Sequence, residues 1–86
     1  MKEVIKVDFP KTKKMSDLRI GDVFVRDIFT YVVINYPHHD TVWVTTPELV
    51  NEDDVYGYTS AILLQYKPDE QVKVIGRDER PLKLFR

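Results

Sequence analysis

The sequence contains no cysteine and only three glycines, and its formal net charge is −1. Without cysteine the chain has no disulfide, no thiolate nucleophile and no cysteine-ligated zinc. The glycines, at positions 21, 57 and 76, are too scattered to form a phosphate-binding loop. A net charge this close to zero gives no overall field that would select nucleic acid or a membrane surface.

Long apolar runs are also missing. The longest, residues 31–34 and 61–64, are far shorter than the roughly 20 residues that span a membrane. The charged, alternating residues 1–6 lack the apolar stretch of a secretory signal, so we expect a cytoplasmic protein with no membrane partner. A chain of 86 residues, 43% of them hydrophobic, suits a single domain with a modest core.

Short β-prone runs separated by turn residues predict a mostly β chain. The clearest run, residues 28–36, is dense in β-branched and aromatic side chains. A short hairpin tip at residues 37–40 and a returning antiparallel strand at residues 41–45 follow it. A turn at Gly21-Asp22 leads into another strand at residues 23–25.

The remaining segments are less regular. Residues 4–9 predict a first strand, residues 11–14 a polar loop and residues 82–85 a short closing strand. Residues 60–66 fit either a strand or a short helix, and the neighbouring turns favour a strand in a hairpin with residues 71–75. Because an open sheet would expose its edges, we expect a small five- to six-stranded antiparallel barrel with at most one short helical turn.

Apolar residues of these strands are the predicted core. The candidates are aliphatic, and the inward face of each strand cannot be read from such short runs. They are Val23, Val25, Val33, Val42, Val44, Ile62, Leu64, Val72 and Val74.

Residues 18–24, Leu-Arg-Ile-Gly-Asp-Val-Phe, resemble the Leu-x-x-Gly-Asp-x-Phe opening of small SH3-like β-barrel proteins. Residues 68–75 resemble the last hairpin of such barrels. Proteins of this kind are frequent in phages and mobile elements, and the resemblance implies such an origin and a non-enzymatic binding module. We expect one domain over residues 1–86, divided into an N-terminal strand and basic loop (1–17), a barrel core (18–76) and a C-terminal extension (77–86).

A long acidic loop is the first candidate binding site. Residues 47–58 begin with Pro and Glu directly after Thr46, a combination typical of one helical turn, and then carry acids and two tyrosines on either side of a glycine. A long loop on a compact scaffold is a common place for binding residues, so we expect it to contact a protein partner. The candidate residues are Glu52, Asp53, Asp54, Tyr56 and Tyr58.

The uneven charge distribution predicts an alternative function. Residues 1–19 carry six basic and three acidic side chains, residues 27–70 carry one and eight, and residues 76–86 carry four and two. If the basic ends meet in space they form a nucleic-acid-binding surface. Its residues would be Lys11, Lys13, Lys14, Arg19, Arg77, Arg80 and Lys83.

No catalytic, metal or cofactor site is predicted. The adjacent rings of His38 and His39 point to opposite sides in an extended chain, so we expect an exposed, pH-sensitive hairpin tip. The acids of residues 51–54 lack the spacing of a calcium loop. A second alternative is a structural or assembly subunit that forms a homo-oligomer through an edge strand at residues 4–9 or 82–85.

Overall fold

The computed structural model describes residues 9–47 and 61–78. This part of the chain forms a 3₁₀ turn, Met15–Asp17, and six β-strands. In chain order the strands are β1 (Lys11–Lys14), β2 (Asp22–Arg26), β3 (Phe29–Val33), β4 (Thr41–Thr45), β5 (Ile62–Gln65) and β6 (Gln71–Arg77). The prediction of a mostly β chain with five or six strands and a short helical turn is confirmed.

The six strands form one antiparallel sheet in the order β1-β6-β2-β3-β4-β5. Strands β2 to β5 follow one another, and β6 crosses back to lie between β1 and β2. β1 and β5 stand at the two ends of this order, and no pairing between them is found among the described residues. Closure into a barrel therefore stays a prediction.

The predicted hairpin between residues 60–66 and 71–75 is wrong. β5 pairs with β4, whereas β6 pairs with β1 and β2. The turn between them, in which the Glu70 amide donates to the Lys67 carbonyl at 3.0 Å, redirects the chain across the sheet instead of folding it back. Glu70 is thereby brought to the β1 end of the strand order, where its carbonyl accepts a hydrogen bond from the Met15 amide at 2.9 Å.

Residues 11–14 form strand β1 rather than the predicted polar loop. Lysine is unfavourable in central strands, which is why the sequence suggested a loop, but charged side chains are common on strands at a sheet edge. β1 is such an edge, paired only with β6 among the described strands. The 3₁₀ turn Met15–Asp17 follows β1 directly, and the strand predicted at 28–36 is shorter, Phe29–Val33.

One apolar cluster lies against a single face of the sheet, which we call the core face. It draws residues from β2, β3, β4 and β6 together with the 3₁₀ turn; the buried members are Met15, Leu18, Phe24, Val33, Val42, Val44, Tyr66, Val72 and Val74. Five of the predicted core residues are thus confirmed. The opposite face is called the outer face.

Four of the predicted core residues are not buried. In β2 the core residue is Phe24, so Val23 and Val25 point to the outer face and are half-buried. In β5 Leu64 is partly buried against the core, while Ile62 is 39% exposed because β5 lies at the end of the strand order. The sequence predicted Val23 and Val25 as the core residues of β2, whereas the register of the strand places Phe24 in the core.

The middle of the sheet is covered on both faces. Val32, Val33 and Ile34 are all fully buried, although consecutive residues of an extended chain point to opposite sides. Val33 belongs to the core cluster, whereas Val32 and Ile34 lie on the outer face beside the buried Thr45, which is paired with Val32. A continuous apolar run, rather than alternation, is what a strand buried on both faces needs.

Candidate functional site

An open groove lies at one end of the sheet, between the β2–β3 hairpin and the chain that connects β5 to β6. We call it the groove; its volume is about 890 Å³. Both polar and aromatic side chains line it: Arg26, Asp27, Phe29, Tyr31, Lys67, Pro68, Asp69 and Glu70.

The apolar wall of the groove is a continuation of the core. Phe29, Tyr31 and Val33 alternate along β3 and share the core face. Val33 is fully buried, Tyr31 is half-buried and Phe29 is 55% exposed. The Tyr31 ring lies 5.6 Å from the buried ring of Phe24 and 6.2 Å from that of Phe29, measured between centroids. Aromatic contacts therefore run without a break from the interior to the surface.

The tip of the β2–β3 hairpin presents a second apolar side chain. Arg26 and Phe29 are paired, so Asp27 and Ile28 form a two-residue turn. Asp27 has a φ of 57°, a left-handed conformation that aspartate tolerates better than most residues. The turn leaves Ile28 88% exposed. A tight turn usually carries polar residues, so an isoleucine projecting into water here is the least expected feature of the surface.

Arg26 and Glu70 fix the opposite wall of the groove. The Arg26 guanidinium donates to both Glu70 carboxylate oxygens, at 2.9 and 3.2 Å, and to the Gln65 carbonyl at 2.8 Å. Glu70 also accepts from the Lys67 amide at 3.2 Å, which orders the turn. Two strands separate β2 from β5, about 14 Å in a flat sheet, so the bond from Arg26 to Gln65 shows that the sheet curls.

The predicted basic surface is partly committed to a structural task. Lys13 Nζ and Arg77 Nη1 each donate to the carboxylate of Asp22 at 2.8 Å. Asp22 is 1% exposed and also accepts from the Arg19 amide at 2.9 Å. The structure thus brings Lys13, Arg19 and Arg77 together, as a converging basic surface requires, but two of these three side chains neutralise a buried acid.

The other predicted basic residues are less concentrated. Lys11 and Lys14 are exposed on β1, with Lys11 Nζ 5.6 Å from the centroid of the Phe9 ring. The Arg19 side chain is exposed. Arg80 and Lys83 lie outside the described residues, so the nucleic-acid hypothesis is not tested by them.

The predicted protein-binding residues lie outside the described part of the chain. Of the loop at residues 47–58, only residue 47 is described. The same holds for the proposed edge strands at residues 4–9, except residue 9, and 82–85. The predicted binding residues that cannot be placed are Glu52, Asp53, Asp54, Tyr56 and Tyr58. Sequence reasoning missed the groove, although the apolar residues Ile28 and Phe29, directly after the charged Arg26 and Asp27, were a usable signal.

The histidine pair forms the tip of the β3–β4 connection. The rings of His38 and His39 are in edge-to-face contact at 4.1 Å, and both residues are exposed. The Tyr66 hydroxyl donates to the His39 carbonyl at 2.9 Å, and the Tyr66 amide donates to the Asp40 carbonyl at 2.8 Å. Burial, with a smaller contribution from the Asp40 carboxylate, raises the pKa of the Tyr66 hydroxyl above 10.0. Tyr66 therefore anchors this tip to the core.

The described part of the structure contains no candidate metal-binding cluster. Residues 9–47 and 61–78 hold no group of three or more histidine, cysteine, aspartate or glutamate side chains arranged to bind an ion. Within the same residues, no helix is long and apolar enough to cross a membrane. The sequence was compared with known protein families, with curated proteins and with solved structures, and none of them matches it.

Proposed function

We propose that the chain is a small non-enzymatic binding module that holds a segment of a partner protein in the groove. The observation that carries this proposal is the pair of exposed apolar side chains at the hairpin tip, Ile28 at 88% and Phe29 at 55% exposure. Exposed apolar residues scattered singly are ordinary, but adjacent ones at the mouth of a concave site are typical of binding surfaces.

The shape of the groove favours an apolar anchor on the partner. Tyr31 and Phe29 extend the core to the surface, so a side chain placed against them gains contacts of the kind that Phe24 makes inside. Burying an aromatic or leucine side chain contributes about 2 kcal/mol, enough to make one residue the main determinant of binding. Pro68 adds a rigid apolar surface on the far side.

The charges around the groove favour a basic flank on the partner. Arg26 and Glu70 neutralise each other, which leaves the exposed Lys67 against the exposed Asp27 and Asp69. The lining therefore has a net charge of −1, from two basic and three acidic side chains. A lysine or arginine beside the apolar anchor would complement this rim and increase the association rate more than the affinity.

The wider setting is part of the proposal. The resemblance of the turn at Gly21-Asp22 to SH3-like proteins supports an SH3-like fold of phage or mobile-element origin. The loop at residues 47–58 remains a second contact surface in this proposal. Nucleic-acid binding is the weaker alternative, because Lys13 and Arg77 are engaged by Asp22.

Selection from a random peptide library tests the groove. We expect enriched peptides to share an apolar residue next to a basic one, and to shift the amide NMR signals of residues 26–31 and 67–70. Phe29→Ser, which removes an exposed side chain that lines the groove, should weaken such a peptide by about tenfold, the effect of losing roughly 1.4 kcal/mol of contact.

Ile75→Ser is the control, because Ile75 is an exposed apolar residue on the outer face of β6, 37% accessible and, unlike Phe29, not part of the groove. It should leave the affinity unchanged. Peptides whose signals map elsewhere, or an equal loss in both variants, would overturn the proposal. Salt-dependent binding of single-stranded DNA or RNA, lost in Lys14→Ala, would support the alternative.

A further inference from the structure

The two ends of the strand order differ in charge. β1 carries three lysines in four residues, Lys11–Lys14, whereas β5 reads Ile-Leu-Leu-Gln and carries no charge. Lysines on an edge strand prevent other strands from pairing with it, because they would have to be brought close to another chain and partly desolvated. β5 has no such protection, so it is the edge that can accept another strand.

Hydrogen bonding shows which backbone groups of β5 are available. The Tyr66 amide donates to the Asp40 carbonyl, so residues 40 and 66 are a hydrogen-bonded pair. Bonded and non-bonded pairs alternate along an antiparallel ladder, which makes Leu63 and Trp43 a non-bonded pair. The amide and carbonyl of Leu63 therefore point away from β4. In the part of the chain that is described, no strand lies on that side.

Side chains on both faces of β5 are apolar and accessible. On the outer face Leu63, 49% exposed, lies opposite Trp43, 43% exposed. On the core face Ile62 is 39% exposed and Leu64 is partly buried. An accessible, uncharged and apolar edge strand is the arrangement that natural sheets usually avoid unless a partner covers it.

We propose that the β5 edge binds a second copy of this chain, by antiparallel β5–β5 pairing around a two-fold axis at Leu63. In this register the amide and carbonyl of each Leu63 bond those of its counterpart. Ile62 of one copy then lies opposite Leu64 of the other on the core face, and the two Leu63 side chains meet on the outer face beside Trp43.

The chemistry of two-fold pairing selects a second copy as the occupant. Around such an axis the central residue faces its own copy and each residue before it faces the one equally far after it, so the strand must carry no cluster of like charges. β1 fails this condition because its lysines would face lysines, and β5 meets it. The dimer does not depend on the groove, which lies at the end of the sheet, so each proposal can fail alone.

The same charge added to either edge provides the test. Sedimentation velocity of the full chain, measured from micromolar to millimolar concentration, should show the mass rising toward that of a dimer. A small interface implies weak affinity, so the rise should be gradual. Leu63→Lys should keep the protein monomeric throughout, whereas Thr12→Lys, at an exposed position of β1, should dimerise as the parent does.

Fluorescence gives a second readout, because Trp43 is the one tryptophan of the sequence. Its emission should move to shorter wavelength as the parent dimerises and stay fixed in Leu63→Lys. Ile62→Lys replaces that variant if circular dichroism shows it to be unfolded. A parent that is monomeric at every concentration overturns the proposal. So does a dimer that survives both β5 variants, or one that is lost only in Thr12→Lys.

Discussion

Asp22 and Arg26 stand at the two ends of β2 and project from the same face of the sheet, yet water reaches only one of them. Asp22 is 1% exposed, and three donors fill its carboxylate. Arg26 and Glu70 keep about a quarter of their side chains exposed, 24% and 25%, beside an apolar groove. A charge whose partners are all supplied from within stabilises the fold, whereas a charge left at a wet, apolar rim can take part in recognition.

Asp22→Asn should have the largest effect on stability of the substitutions at the two ends of β2. It removes the negative charge while keeping the shape, so Lys13 and Arg77 face each other without a counter-ion. We expect a loss of about 3 kcal/mol in the free energy of unfolding, typical of breaking a buried ion pair. Urea denaturation measures it. Asp17→Asn, an exposed acid of the 3₁₀ turn, is the control and should change little; equal effects would show that the Asp22 end is no different from ordinary surface.

Gly21→Ala should be the next most damaging change. Gly21 has a φ of +95°, and an added Cβ would lie 2.6 Å from the Asp78 carbonyl oxygen. The strained backbone and the clash together should cost about 2 kcal/mol. Thermal unfolding provides the measurement. Gly76→Ala has open space around its new Cβ and should melt within a few degrees of the parent; a similar drop in both variants would refute the assigned role of the turn.

Tyr66→Phe tests the stability of the structure near the Arg26 end of β2, because Tyr66 follows Gln65, whose carbonyl accepts from Arg26. Losing the hydrogen bond to the His39 carbonyl should cost about 1 kcal/mol at neutral pH. Because the folded-state pKa of Tyr66 is raised, its contribution is complete below pH 10.0 and is lost as the pH rises through the higher folded value.

The difference in stability between the parent and Tyr66→Phe should therefore narrow above pH 10, as measured by denaturation at several pH values. Tyr36→Phe, at an exposed tyrosine, should show no such trend. A difference that stays constant with pH would contradict the assignment of the shift to this buried hydroxyl.

Arg26→Ala should have the smallest effect on stability. Both side chains of the Arg26–Glu70 ion pair are about a quarter exposed. Such a pair contributes about 0.5–1 kcal/mol to the free energy of unfolding, and salt screens it. Unfolding at low and at high ionic strength should show the loss at low salt only. Arg19→Ala is the control, because that side chain is exposed and only its backbone amide contacts Asp22. A loss as large as that of Asp22→Asn would erase the distinction between the two ends.

Fold class was predictable from the sequence because turn residues and β-branched runs are local signals. Gly21-Asp22 marked a real turn, and the segment at residues 41–45 was predicted with its observed bounds. Which strands pair with each other is not determined by local sequence. The correct partner of Ile62–Gln65 lies across a chain connection of more than a dozen residues, so the sequence favoured the nearer and wrong hairpin.

The candidate site was less predictable than the fold. Phe24 between two valines gave no sign of which residues face inward, because all three suit a strand, and the register set by pairing decided it. The groove depends on that same register, which carries Phe29 and Tyr31 on the core face out to the surface. Lys13 and Arg77 looked like ligands for an anion outside the protein, since Asp22, the acid they serve, is far from both in sequence.

The burial of three consecutive residues in β3 has a consequence for how faithfully this sheet assembles. If β3 shifted its register by one residue, Val32, Val33 and Ile34 would take one another's places, and an aliphatic side chain would still be buried at each. Hydrophobic burial of these three residues therefore distinguishes the two registers only weakly. What discriminates is the bond from the Gly21 amide to the Val33 carbonyl at 2.9 Å and that from Ile34 to Trp43 at 3.0 Å. The register of β3 is thus fixed by the backbone hydrogen bonds at the Gly21 turn and at Ile34.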